Sequence, residues 1–368
     1  MYKHYYEKEL NALHKVNRFR SRNLFHEEDI DFASNDYLGL SANKKNLKKV
    51  YKTLKKQKEH SPKASLLVNG YHPIHKKFEK ALAKANGFED GIVIGSGFLA
   101  NLALIESLVR KKDILLIDEE YHASGVLATK LIESSNIIFF KHNDPEDLQV
   151  KIEQLPKYNR IIIAIEGVYS MSGDIAKKEF YDIANEINAI LIVDEAHSSG
   201  TIGENLLGWY DHFELSIQQN HIKMGTLGKA YGSYGAYILA SKHLISYLEN
   251  RAKSIIYTTA PSLFDIALAY ENFKTIQKKK KNIKKRISSF QKNVHKKLKI
   301  EASSLIVPIV INDNEKVMTI QKELLKKGYL IGAIRQPTVQ KAIIRLILKI
   351  DNKNKDLEKV LDIIKEQI

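Results

Sequence analysis

Cysteine is absent from the 368 residues, which excludes disulfides, cysteine nucleophiles and thiolate metal sites; no metal is expected. With only 18 glycines and 7 prolines, collagen-like and low-complexity architectures are excluded too. No apolar run reaches 18 residues, so no membrane span and no membrane partner are expected. Met1–Leu10 mixes charge with tyrosine where a secretion signal would carry an apolar core, and a cytoplasmic enzyme fits. Acid is scarce, 43 Asp and Glu against 58 Lys and Arg, a net charge of +15. Such a surface could attract nucleic acid, anionic lipid or an acidic partner. The lysines are spread widely and accompany many Ile and Asn, which points to residue usage, and nucleic acid is not expected as a partner. The densest run, Lys278 to Lys281 with Lys284, Lys285 and Arg286, recurs at helical spacing and reads as a solvated helix face.

What is present is an α/β alternation from Asp31 onward. Lys77–Asn86 has helical periodicity and meets Gly87, a good stop. Short apolar strands are predicted at Gly91–Ile94, Ile114–Ile117, Arg160–Ile165, Ala189–Val193 and Tyr234–Leu239, with helices at Phe98–Val109 and Lys178–Asn188. Strand, helix and strand with short connections imply parallel pairing. A long basic helix follows, roughly Leu263–Leu298, then a compact α+β tail. We therefore expect an N-terminal arm over residues 1–38, a large mostly parallel-sheet domain over 39–270 and a smaller α+β domain over 271–368.

In open parallel sheets ligands sit beyond the carboxyl ends of the strands. Polar residues cluster at four such ends, at Gly95–Phe98, Asp118–His122, Glu166–Ser170 and Asp194–His197. Three readings compete. Gly95 to Ala100 fits G-x-G-x-x-A, and Asp118 stands where a ribose-binding acid would in a dinucleotide enzyme, although any phosphate ligand selects the same loop. Asp194-Glu195-Ala196-His197 spells a helicase box, yet no G-x-x-x-x-G-K-[ST] loop precedes it. The third reading is pyridoxal phosphate. It needs a phosphate cradle, an acid at the pyridine nitrogen, a Schiff-base lysine and a flat group on the ring.

Each part has a candidate. Gly97 and Phe98 suit the phosphate, Asp194 the ring nitrogen, His122 the ring face and His197 the phenolic oxygen. Lys229 lies in Gly225–Gly232, where small neighbours would let a cofactor approach. At about 4 Å and an effective dielectric of about 20, a carboxylate and a pyridinium attract by roughly 4 kcal/mol, about three pKa units. Singly, each residue has an ordinary role: Lys229 a surface charge, the histidines structural, Asp194 a helix cap, Thr226 a turn hydroxyl. Their conjunction carries the inference.

These residues resemble the α-oxoamine synthases, a family of fold-type I pyridoxal-phosphate transferases that condense an amino acid with an acyl thioester and release CO2. The likeness runs through Ser34–Leu40, Ser96–Asn101, His122–Ser124, Glu166–Met171, Asp194–His197, Gly225–Lys229 and Tyr257–Pro261. Ala333–Val339 is similar to the biotin-pathway branch, which implies L-alanine and a pimeloyl thioester, on CoA or acyl carrier protein, as substrates. The resemblance implies Lys229 as the Schiff-base lysine, Asp194, His122 and His197 around the ring, and Ser170 in support. Gly97, Phe98 and Thr226 would hold the phosphate, with Thr259 reaching over from the second subunit of a homodimer that shares its active sites. Arg345 would take the amino-acid carboxylate, with Asn35 and Thr338 near the substrate and Arg18 or Arg20 facing the acyl chain. Ser61–Val68 departs from the family's glycine-rich stretch. Alternatives are a glycine-using relative, an aminotransferase, a dehydrogenase, or a basic binding protein that has lost catalysis.

Overall fold

The computed structural model describes residues 5–16, 18–155 and 157–368. Its strands, in chain order, are β1 Ile30–Phe32, β2 Asp90–Ile94, β3 Ile114–Asp118, β4 Ile137–Phe140, β5 Ile161–Glu166, β6 Ile190–Asp194, β7 His221–Thr226, β8 Ala236–Ala240, β9 Ile306–Val310, β10 Tyr329–Ile334 and β11 Ile343–Ile347. Seven form a large sheet, β2-β8-β7-β6-β5-β3-β4, and four a small one, β1-β10-β11-β9. The sequence reading lacked β1, β4 and β7. The first two are short, and β7 (His221-Ile222-Lys223-Met224-Gly225-Thr226) interrupts its apolar residues with His and Lys.

Only β8 runs against its neighbours in the large sheet. The carboxyl ends of the other six therefore share one edge. Both faces are covered, as a parallel sheet requires. Ile163, Ile165, Leu191 and Val193 enter one apolar layer, and Ile162, Ala164 and Ile192, one residue out of phase, enter the other. Phe180, Ile183 and Ala184 of the helix Glu179–Glu186 cover the first layer. Ala100, Ala103 and Leu104 of the helix Gly97–Leu108 cover the second.

A 36-residue helix, Leu263–Leu298, links the large sheet to the small. At 1.5 Å per residue it spans about 54 Å, and position 270 falls within it. Ile283, Ile287, Phe290 and Val294 are buried on its far half, where the lysine run places Lys278, Lys279, Lys281 and Lys285 in solvent. Lys284 pairs with Glu204, and Arg286 donates to the carbonyls of Ile350 and Asn352. The small sheet includes residues from the predicted arm, since β1 pairs in parallel with β10. Among the described residues, no helix is long and apolar enough to cross a membrane.

Candidate active site

The helix Gly97–Leu108 begins directly beyond β2. Ser96 caps it, its Oγ accepting the Leu99 N–H at 3.2 Å. The first-turn N–H groups then face outward with no partner inside the helix, an arrangement suited to an anion. Nothing in the protein requires glycine at 97, because the nearest atom to an added Cβ would be Thr226 Cβ at 4.0 Å. Gly97 lines a cavity of about 210 Å³, together with Phe98, His122, Asp194, His197, Thr226 and Lys229 among others. Seven of the sequence-derived residues thus converge on one space.

Asp194 ends β6 and is 3% exposed. One oxygen accepts the Ala196 N–H at 3.0 Å, and the other accepts Asn101 Nδ2 at 2.9 Å. It therefore does make a turn bond, but its second oxygen is fixed from another element. Asn101 also donates to Ser124 Oγ at 2.9 Å and accepts the Tyr121 hydroxyl at 2.7 Å. Ser124 in turn meets His122 Nδ1 at 2.7 Å, which orients the imidazole at the cavity rim. Burial lowers the His122 pKa, with Lys229 adding to the effect and Asp194 opposing it.

Lys229 follows β7 on a tight loop closed by Leu227 N–H to Gly235 O at 2.8 Å and Gly232 N–H to Lys229 O at 2.8 Å. Gly228, beside Lys229, has the room expected from sequence, the nearest atom to an added Cβ being Ser233 O at 3.5 Å, whereas Gly225 and Gly232 serve protein packing. A Cβ at Gly225 would meet the Tyr237 ring at 2.4 Å, and one at Gly232 would meet Ser41 N at 2.5 Å. Thr226 Oγ1 does form the turn bond foreseen for it, donating to Gly235 O at 3.1 Å, while still lining the cavity. Burial brings the Lys229 amine down to about 8, although the Asp194 and Glu166 carboxylates pull the other way.

From Lys229 a hydrogen-bonded chain crosses to the small sheet. Lys229 Nζ lies 2.7 Å from His197 Nε2, and His197 Nδ1 lies 2.5 Å from the Tyr37 hydroxyl. Tyr37 donates to Asn35 Oδ1 at 3.3 Å, which also accepts both terminal nitrogens of Arg345 at 3.2 and 3.1 Å. With Lys229 as donor, His197 Nε2 accepts and its Nδ1–H donates to the Tyr37 oxygen, the tautomer that leaves the Tyr37 proton for Asn35. Burial and the Lys229 and Arg345 charges hold His197 well below its usual pKa, so the ring is neutral. Arg345, on β11 and 7% exposed, reaches the large sheet by donating from Nε to Ser170 O at 2.8 Å.

The other expected residues are not brought into this cavity. Thr259 is exposed and bridges to Ser65 in the segment that departs from the family pattern. Thr338 is exposed on the loop after the cis Gln336–Pro337 bond, and Arg18 and Arg20 are exposed on the N-terminal arm. Asp118 is fully buried and receives Tyr169 OH at 2.6 Å, Asn143 N–H at 2.8 Å and Glu120 N–H at 2.8 Å. Occupied in this way and absent from the cavity lining, it is not a ribose ligand. Sequence reasoning left Tyr37, Asn101, Ser124 and Glu166 without roles. Asn101 had a readable signal, one helical turn beyond Gly97 and on its face.

The class I and II aminotransferase family model matches residues 27–364. The 8-amino-7-oxononanoate synthase of Helicobacter pylori is 46% identical over 356 residues, 96% of this chain and 95% of its own length. The chain belongs to the 8-amino-7-oxononanoate synthase family. Members of this family are acyltransferases of fold-type I, and the large mostly parallel sheet is that fold. A solved 8-amino-7-oxononanoate synthase from Francisella tularensis shares 27% identity and a TM-score of 0.77, covering 93% of this chain and 98% of that one. A serine palmitoyltransferase variant solved with PLP shares 25% identity and a TM-score of 0.85, covering 92% and 87%.

Proposed function

We propose that this family member is a pyridoxal-phosphate enzyme of biotin biosynthesis. It condenses L-alanine with a pimeloyl thioester and yields 8-amino-7-oxononanoate, CO2 and a free thiol. The observation that carries this reading is the meeting of an amine of lowered pKa, a doubly hydrogen-bonded carboxylate and a fixed imidazole around one cavity beside a helix N-terminus. The residues present fit the cofactor. A buried oxygen of Glu166 lacks a partner among the described residues, and Gly97 leaves room that packing does not demand.

Gly97, Phe98 and Thr226 are suited to the phosphate, His122 to the ring face and Asp194 to the ring nitrogen, with His197 as the acceptor beside Lys229. Bound pyridoxal phosphate supplies an aldehyde for the lysine amine and a protonated ring that withdraws electrons from the amino-acid α-carbon. Lys229 Nζ, neutral above about pH 8, takes the α-proton and later returns one. Arg345 orients the carboxylate so that the C–H bond to be broken faces that amine. A carboxylate arriving there replaces Asn35 Oδ1 on the guanidinium, while Ser170 O continues to hold Nε. Thr259 completes the phosphate site of a partner subunit in a homodimer. Arg18 or Arg20 faces the acyl chain, with Thr338 close to the substrate.

Arg345→Gln is expected to raise KM for L-alanine by about 10- to 100-fold while changing KM for the thioester far less. Steady-state kinetics in each substrate check it, and a uniform rise in both would contradict the assignment. The function itself is tested by offering alanine, glycine and serine with pimeloyl-CoA and with pimeloyl carrier protein. Thioester-dependent CO2 release with alanine is the expected result. Amino transfer to a keto acid without CO2 would mark an aminotransferase instead.

A further inference from the structure

The reading above counts an unpartnered oxygen of Glu166 toward the fit of the cofactor but gives the residue no role. It ends β5 as Asp194 ends β6, and the two are register partners on adjacent strands. It is 1% exposed and lines the same cavity. Oε2 accepts the Ser170 N–H at 3.1 Å, whereas Oε1 has no hydrogen-bond partner among the described residues. Burial and a neighbouring carboxylate both favour the protonated form of Glu166. Hydrogen bonds decide which of the two carboxyls keeps the proton. Asp194 receives a donor on each oxygen and Glu166 on only one, so the charge belongs to Asp194 and the proton to Glu166.

The surroundings agree. Burial raises the Glu166 carboxyl well above the usual range, and the Asp194 and Asp118 charges add to it, against Lys229 and the Ser170 N–H. The phenols of Tyr37, Tyr121 and Tyr169 stay neutral because burial raises them. Because Oε2 is already an acceptor, the proton resides on Oε1, where the chain offers it no acceptor. We propose that Glu166 works as a neutral carboxylic acid whose Oε1–H donates to an oxygen of the bound cofactor, leaving Asp194 the single anion at the ring nitrogen. This rests on the cofactor reading above and adds a binding group to it.

Glu166→Gln keeps both functions, an acceptor for Ser170 and an N–H donor in place of the acid, whereas Glu166→Ala keeps neither. Two measurements test the proposal. With 13C-labelled glutamate, the infrared spectrum at neutral pH is expected to show a protonated-carboxyl C=O stretch that E166Q lacks, both without and with added pyridoxal phosphate. Fluorescence titration with pyridoxal phosphate is expected to show E166A losing roughly 10- to 100-fold more affinity than E166Q. Absence of the infrared band, or an affinity loss in E166Q as large as in E166A, overturns the proposal. Should E166A not fold, the band and the E166Q titration still decide. Failure of the wild-type chain to bind pyridoxal phosphate would instead overturn the cofactor reading, with the infrared band of the cofactor-free protein reporting separately on the proton.

Discussion

Replacing Lys229 by alanine is expected to remove the visible absorbance of the purified protein and to lower kcat by at least about 10⁴-fold, because nucleophile and base are lost together. The same amine predicts a pH dependence. Burial brings its pKa down to about 8, so the neutral fraction rises as pH climbs through that value, about two units earlier than for an exposed lysine. Covalent uptake of pyridoxal phosphate by cofactor-free protein, followed in the visible range, should therefore accelerate between about pH 7 and 9 and level off above. A protein that stays yellow and active without Lys229 would remove the basis of the proposed function. Uptake that rises only above about pH 10 would show that the buried environment leaves the amine unperturbed.

Asp194→Asn carries the second large effect. Its two oxygens receive two N–H donors, from Ala196 and Asn101. An amide presents one acceptor only, so its NH2 group must oppose one of these donors. The variant thus loses both the charge at the ring nitrogen and a satisfied hydrogen bond. A carboxylate–pyridinium attraction of roughly 4 kcal/mol at an effective dielectric of about 20 corresponds to about 10³-fold. Exchange of the alanine α-hydrogen with deuterated solvent, measured without thioester, should slow by about that factor. Exchange at a near-normal rate would show that Asp194 does not hold the ring proton.

The strand ends were legible because buried parallel strands read as apolar runs, and the residue after each run is where chemistry collects. Gly97, His122, Asp194 and His197 were found in this way, whereas Lys229, which follows the unread strand β7, was found by the small residues around it. The helix Leu263–Leu298 was readable as well, since Ile283, Ile287, Phe290 and Val294 keep helical spacing through the lysine run. What stayed hidden depends on pairs far apart in the chain. Tyr37 meets His197 at a separation of 160 residues, and Arg345 meets Asn35 at 310. No local pattern announces such contacts. Gly225 and Gly232 show the converse, because local smallness suggested room for a ligand where Tyr237 and Ser41 stand.

The pairing of β1 with β10 sets an order of events. Ile30 lies beside Tyr329, so this ladder closes one of the longest loops the chain contains and is entropically disfavoured until most of the molecule is built. Asn35 and Tyr37 follow β1 directly, and Arg345 lies one strand beyond β10. During synthesis the lysine pocket can thus assemble well before its carboxylate anchor arrives, and a nascent chain acquires the means to hold a vitamin before it can select an amino acid.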